Sequence, residues 1–170
     1  MKNYRTHGGL TLIEILLYMG LFSILMFGLF VSAINIFQNI DRNQTKTMVQ
    51  EEGNFLMAKI DSSLTGVTTV STPPSGSSDN TLTVTNAGIP LIFSLNGKDL
   101  QLKRGGSPTV TLNNSNVTVL APIFSPFVIF THTGTGSNPE YVTASFRLQT
   151  KTPSGQTYMQ DFQTTKYVRK

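Results

Sequence analysis

At 170 residues, with 39% hydrophobic and 13% charged side chains, the chain has room for one modest domain and one long accessory element, and a large multidomain enzyme is excluded. It has no cysteine and no tryptophan, which removes disulfides, thiol nucleophiles, zinc-thiolate sites and iron–sulfur clusters. The two histidines, His7 and His132, lie far apart in sequence, which speaks against a histidine-based catalytic pair, and a net charge of +4 is too mild to define a partner.

Residues 1–9, MKNYRTHGG, are short, polar and basic, and an uncharged run from Ile15 to Ile40 follows soon after. This is the layout of an export signal, except that an ordinary secretory signal places its small-residue cleavage site after the apolar run, whereas the Gly8-Gly9 pair stands before it. A cut there leaves the apolar run on the mature chain. The run is about 26 residues, which at ~1.5 Å per residue gives roughly 39 Å of helix, enough to cross a ~30 Å hydrocarbon core. Lys2 and Arg5 on its N-terminal side predict an N-in, C-out topology by the positive-inside rule. Within the run, Gly28 and Ser32 form a small-xxx-small pair suited to close helix contact.

Charges return at Asp41, yet helix-compatible residues continue and no proline occurs before Pro73. Met48, Val49, Phe55, Leu56, Ile60 and Leu64 recur at helical spacing, the pattern of one apolar stripe packed on something else. The reading is one helix from about Thr11 to Leu64, with Gly66 just past its end as terminator.

After Gly66 the period becomes two. Strands are predicted at Val67–Ser71, Thr81–Thr85, Leu91–Leu95, Leu100–Lys103, Val110–Leu112, Val117–Leu120, Phe127–Thr131, Tyr141–Thr150 and Gln156–Val168. Asn96-Gly97 is the best hairpin signal, while 73–78, Gly105-Gly106 and Gly134-Thr135-Gly136 read as loops.

The most informative stretch is Gly8-Gly9-Leu10-Thr11-Leu12-Ile13-Glu14: a glycine pair, an apolar start and a lone carboxylate at the head of a spanning helix. An acidic side chain at the centre of a bilayer costs about 2.5 to 3.5 kcal/mol on insertion scales, so Glu14, even near the end of the span, calls for a partner or a function. If Leu10 becomes the N-terminus, its amine is a cation entering an apolar layer, and Glu14 of a neighbouring copy is a suitable counterion for staggered assembly.

This stretch resembles the prepilin cleavage and methylation motif of bacterial type IV pilins and type II secretion pseudopilins. The resemblance covers the leader and first helix closely and the remainder only in outline. It implies cleavage between Gly9 and Leu10, N-methylation of Leu10, and an assembly role for Glu14 together with the adjoining Thr11. The partners it implies are a prepilin peptidase/methyltransferase, an inner-membrane assembly platform, membrane lipid, and other pilins or pseudopilins. Leu10 stands where the family most often has Phe, and the chain lacks the helix-breaking proline and C-terminal disulfide loop of many pilus-forming members. Ile92-Phe93-Ser94-Leu95-Asn96-Gly97-Lys98-Asp99-Leu100 and Asn116-Val117-Thr118-Val119 are loosely similar to minor pilins of the W type and pseudopilins of the J type.

The expected fold is thus α+β and pilin-like: a long N-terminal helix, transmembrane in its first half, packed on a mostly antiparallel β domain. It divides into a leader (1–9), a transmembrane or filament-core half-helix (10–40), an amphipathic half-helix (41–65) and a β-rich globular domain (66–170). The expected role is a structural, non-enzymatic minor pilin or pseudopilin, first held in the inner membrane and then built into an extracytoplasmic filament. The alternatives are a single-pass anchored binding module never cut at Gly9, and a DNA-uptake pilus subunit.

Lys103-Arg104 and the basic, aromatic tail around Lys166, Tyr167, Arg169 and Lys170 read more simply as a solvated loop and a terminus than as a nucleic-acid site. Asp79, Asp99 and Asp161 are isolated and lack calcium-loop spacing, so neither a metal nor any other cofactor is expected. Three Asn-x-Ser/Thr triplets, at Asn43, Asn113 and Asn116, are accidental matches in an Asn- and Thr-rich chain, and His132 reads as a loop or strand-end residue.

Overall fold

A computed structural model describes residues 11–123, 128–134 and 140–168. The helix α1 (Leu12–Leu64) precedes strands β1 (Val67–Thr72), β2 (Ser77–Asp79), β3 (Thr81–Asn86), β4 (Ile89–Asn96), β5 (Asp99–Arg104), β6 (Val110–Thr111), β7 (Thr118–Leu120), β8 (Phe130–Thr133), β9 (Tyr141–Lys151) and β10 (Thr157–Tyr167). The architecture is α+β, one long helix and antiparallel sheets. The chain resolves into two units, one ending at Asp41 and the other spanning Arg42–Lys170, and each is described by itself.

In the second unit the helix segment buries Thr45, Val49, Gly53, Leu56, Ile60 and Leu64. Their spacing of three and four keeps them on one face of a 3.6-residue repeat. Gly66, with φ of 76°, ends the helix in the left-handed conformation that glycine adopts without strain. Asn86 then ties the helix end to the first sheet, its Nδ2 donating to the carbonyls of Thr65 at 2.7 Å and Ser63 at 3.2 Å.

Two sheets complete this unit. One runs β1-β3-β4-β5-β6, and the other runs β10-β9-β8-β2, with β7 pairing β9 beyond the end of β8. Every pairing is antiparallel. The strict alternation of β9 sends Val142, Ala144, Phe146 and Leu148 inward and their neighbours outward, as a half-buried strand requires. The core joins Val49, Leu56 and Ile60 of the helix to Leu82, Val84, Phe93 and Leu100 of the first sheet and to Phe130, Phe146 and Phe162 of the second. Each such side chain contributes roughly 1.5–3 kcal/mol of burial, and that packing takes the place of the missing disulfides.

Two hairpins show how turn chemistry sets register. β4 and β5 meet at Asn96↔Asp99, with Gly97 at φ 62° first in the two-residue loop, the position where a type II′ turn takes glycine. β3 and β4 meet at Asn86↔Ile89 through Ala87-Gly88, both at positive φ (48° and 77°). That is a type I′ turn with an alanine in a conformation that costs L-residues about 1–2 kcal/mol.

Three expectations are corrected. Phe55, placed on the buried stripe from its spacing, is 51% exposed; it lies between the buried Gly53 and Leu56, one residue before Leu56, and the ~100° turn per residue swings it off the buried face. Ser77 and Ser78, read as loop, form β2 together with Asp79, because its backbone pairs with His132, Thr131 and Phe130 of β8 despite an unpatterned polar sequence. The strand predicted at Phe127–Thr131 lies at Phe130–Thr133, in the register set by Phe130↔Ala144 on β9, and residue 127 is outside the described residues.

Candidate functional site

Gly8, Gly9 and Leu10 lie outside the described residues, and Thr11 is where the geometry begins. The Thr11 carbonyl accepts the amides of Glu14 at 3.0 Å and Ile15 at 3.2 Å, which makes Thr11 the N-cap of α1. Glu14 reaches back: its Oε2 accepts the Thr11 amide at 3.4 Å and lies 3.5 Å from the Thr11 hydroxyl. This is the carboxylate arm of a capping box, long but correctly directed, with the negative charge at the positive end of the helix dipole. The structure thus brings Thr11 and Glu14 together within a single helical turn. The Thr-x-x-Glu spacing before an apolar run was the available signal for this cap, and the charge-in-membrane reading passed over it.

Beyond the cap, the large apolar side chains from Leu12 to Ile40 are exposed, Leu12 at 78%, Ile24 at 74% and Phe27 at 72%. Leaving so many of them in water would cost on the order of tens of kcal/mol at roughly 1.5–3 each, more than the whole stability of a typical domain. The helix is long and apolar enough to cross a membrane, and none of its most apolar stretch is buried inside the protein. A Cβ added at Gly20 or Gly28 would meet nothing within 4 Å among the described residues, so both stand open on the helix surface.

In the second unit one packing-critical glycine is a residue the sequence did not single out. A Cβ at Gly53 would fall 2.2 Å from Cε1 and Cζ of Phe162, so the β10 ring rests directly on the helix backbone. Phe162 in turn stacks on Phe146, with centroids 5.8 Å apart and planes at 20°.

Two ion pairs tie β10 to its neighbours. Arg147 donates to both carboxylate oxygens of Asp161 at 2.6 and 2.7 Å across β9 and β10. The hydrogen bonds hold the guanidinium above its ordinary pKa and the Asp161 carboxyl below its own, partial burial opposing both. Lys166 of β10 donates to Asp61 of α1 at 3.1 Å. Lys103 and Arg104 are exposed at the end of β5, and Arg169 and Lys170 lie outside the described residues. Asp79 caps its own turn by accepting the Thr81 amide, whereas Asp99 lies 3.4 Å from the Asn113 amide nitrogen. Among the described residues no group of three potential metal-ligating side chains assembles.

His132, expected as a loop or strand-end residue, is the third of the four residues of β8 and is buried at 3% exposure. Its Nδ1 is 2.8 Å from the Pro73 carbonyl, which only accepts, so Nδ1 carries a proton there; its Nε2 is 2.8 Å from Oε1 of Glu140. The ring clamps the chain entering β2 to the chain entering β9. Asn113, one of the three triplet asparagines, is likewise structural: its Oδ1 accepts the Leu100 amide at 2.8 Å and its Nδ2 donates to the Val117 carbonyl at 2.7 Å, both in the interior.

Comparison with protein-family models, with curated proteins and with solved structures found no match to this chain. What the fold defines is an α+β protein with one N-terminal helix able to span a membrane.

Proposed function

We propose that the chain is a type IV pilin-like subunit, a minor pilin or pseudopilin cut between Gly9 and Leu10, methylated at Leu10 and assembled through its apolar helix into an extracytoplasmic filament. The observation that carries this reading is the uncharged, exposed stretch of the helix from Ile15 to Ile40, headed by one carboxylate, Glu14, soon after the Gly8-Gly9-Leu10 sequence. Lipid covers such a helix before assembly, and helices of neighbouring subunits cover it afterwards. In the filament, Glu14 pairs with the N-terminal amine of an adjacent subunit, so that two charges neutralise where neither is hydrated. The domain of Arg42–Lys170 remains outside, N-in and C-out following Lys2 and Arg5. The required partners are a prepilin peptidase/methyltransferase, an inner-membrane platform and other pilins. DNA uptake is the weaker variant of this reading, because Arg147 and Lys166 are held by Asp161 and Asp61 and the exposed Lys59, Lys98, Lys103 and Lys151 are spread over the helix, a turn and two strands.

A second reading is favoured by the Thr11–Glu14 cap: a single-pass anchored module, uncut, in which Glu14 does no more than close its own helix. The two readings separate at Glu14→Gln, because glutamine keeps the capping geometry and removes the charge. The filament reading predicts that Glu14→Gln inserts normally yet no longer cross-links to wild-type copies in membranes co-expressing the assembly machinery. Wild-type cross-linking by Glu14→Gln, with loss only in Glu14→Ala, leaves the cap as the whole role of this residue.

A further inference from the structure

The outward face of the second sheet carries an ordered set of hydroxyl groups. Ser78, Thr131, Thr143 and Thr165 occupy one cross-strand row over β2, β8, β9 and β10. Their oxygens approach in pairs, Ser78 to Thr131 and Thr143 to Thr165, each at 3.0 Å. One neighbouring row holds Tyr141 and Tyr167, edge to face with centroids 5.7 Å apart, and the other holds Ser145 beside Gln163, followed by the Arg147–Asp161 pair.

Over this face lies a cleft of about 530 Å³, floored by Thr131, Thr143, Ser145 and Gln163 and bounded by Tyr141 and Asp161. Pro122 and Val128, in the connection between β7 and β8, supply apolar lining together with Phe146 and Phe162. The volume falls within the range of roughly 300–1,000 Å³ that small-ligand sites occupy.

The lining selects a ligand class. Arg147 and Asp161 satisfy each other, so the cleft offers no uncompensated charge to an anion or a cation. An apolar ligand would strip water from hydroxyls and an amide and leave them unpaired, which is costly. Each hydroxyl pair uses one O–H internally and keeps a second donor and several lone pairs for a ligand, while Asp161 retains acceptor capacity beyond the two bonds from Arg147. A ligand rich in hydroxyls, uncharged, and carrying one C–H face to lie on an aromatic ring matches all of these features.

We propose that this cleft binds a neutral oligosaccharide, its ring hydroxyls bonded by Thr143, Ser145 and Gln163 and one sugar face packed on Tyr141. The site is independent of the assembly reading, since none of its residues belongs to α1.

The test uses the full-length chain in lipid nanodiscs, which avoids sugar-headed detergents. Maltotriose, cellotriose and chitotriose are titrated by saturation-transfer NMR and calorimetry, with trigalacturonate as the anionic comparison. At least one neutral trisaccharide is expected to bind with a dissociation constant on the order of 0.1–1 mM. Thr143→Val, which preserves shape and removes one hydroxyl, should weaken that binding about three- to tenfold. Tyr141→Ala should remove it, and Thr111→Val on the other sheet should leave it unchanged, each with an unaltered melting temperature. If Tyr141→Ala disturbs the fold, Thr143→Val and Gln163→Leu decide alone. Absence of binding below about 10 mM for all three neutral sugars, binding of trigalacturonate alone, or binding indifferent to both Thr143→Val and Gln163→Leu would each overturn the proposal.

Discussion

Gly53 is the position where helix propensity and packing make opposite predictions, so replacing it by alanine is an informative perturbation. In an unconstrained helix Gly→Ala stabilises by about 1 kcal/mol, because alanine loses less backbone entropy. Here the new methyl would stand 2.2 Å from two ring carbons of Phe162 and 2.6 Å from a third. The ring cannot simply swing aside: Phe162 is 7% exposed and stacked on Phe146, which is fully buried. Relief therefore requires the helix or β10 to shift, and overpacking of this kind costs typically 1–3 kcal/mol.

Set against the propensity gain, Gly53→Ala should lower stability by up to about 2 kcal/mol, a fall in melting temperature of about 2–8 °C per kcal/mol for domains of this size range. Thermal unfolding followed by far-UV circular dichroism suits a chain without tryptophan. A double-mutant cycle isolates the contact: Phe162→Leu should cost clearly less when combined with Gly53→Ala than in the wild-type background, with a coupling on the order of 1 kcal/mol. A melting temperature raised by Gly53→Ala would refute the close approach of helix and sheet on which the packing rests.

Ala87→Asn should stabilise by about 0.5–1 kcal/mol, read as a higher denaturant midpoint, because asparagine relieves the left-handed strain at φ 48° and completes an Asn-Gly type I′ turn. Asn113→Ala leaves the Leu100 amide and the Val117 carbonyl unpaired in the interior; at about 1–3 kcal/mol for each group, chemical denaturation should register a loss of at least about 2 kcal/mol. Asp161 titrates below its ordinary value of 3.8, chiefly through the hydrogen bonds from Arg147, so the unfolded chain binds the extra proton and the pair stabilises only above that range. Wild type should therefore exceed Asp161→Asn in melting temperature near neutrality, with the gap closing as pH falls through and below 3.8; a gap that widens in acid would contradict the assigned direction.

The helix was legible because its two halves carry unambiguous signals. The uncharged run needs no partner to be recognised, and Gly66 marks the stop that α1 obeys at Leu64. The strands of the hairpins β3–β4–β5 and β9–β10 were legible for the same reason: strict alternation, with turn residues between. What escaped depends on tertiary pairing. β2 has no pattern of its own and becomes a strand only by the register of β8, and His132 is buried only because Pro73 and Glu140 converge on it.

Gly53 escaped because a missing side chain leaves no hydrophobic mark, although its place between Val49 and Leu56 put it on the buried face. Phe55 misled for the converse reason, being apolar and near the stripe but on its flank. At the head of the helix, Glu14 stood out in the sequence as a lone carboxylate, while its bond to Thr11 followed from a capping spacing that the membrane argument obscured. The hydroxyl row of the outer sheet was illegible for a different reason. Its four members come from four strands spread from Ser78 to Thr165, and only the register aligns them.

The central claim is that the chain is processed between Gly9 and Leu10 before it assembles. The most direct measurement is the intact mass and N-terminal sequence of the membrane-extracted protein, expressed with and without a prepilin peptidase, for wild type and Gly9→Val. The account predicts a chain beginning at N-methylated Leu10 only when the peptidase is present and Gly9 is intact. A chain beginning at Met1 in the presence of an active peptidase would contradict it and leave a membrane-anchored α+β domain that is never cut.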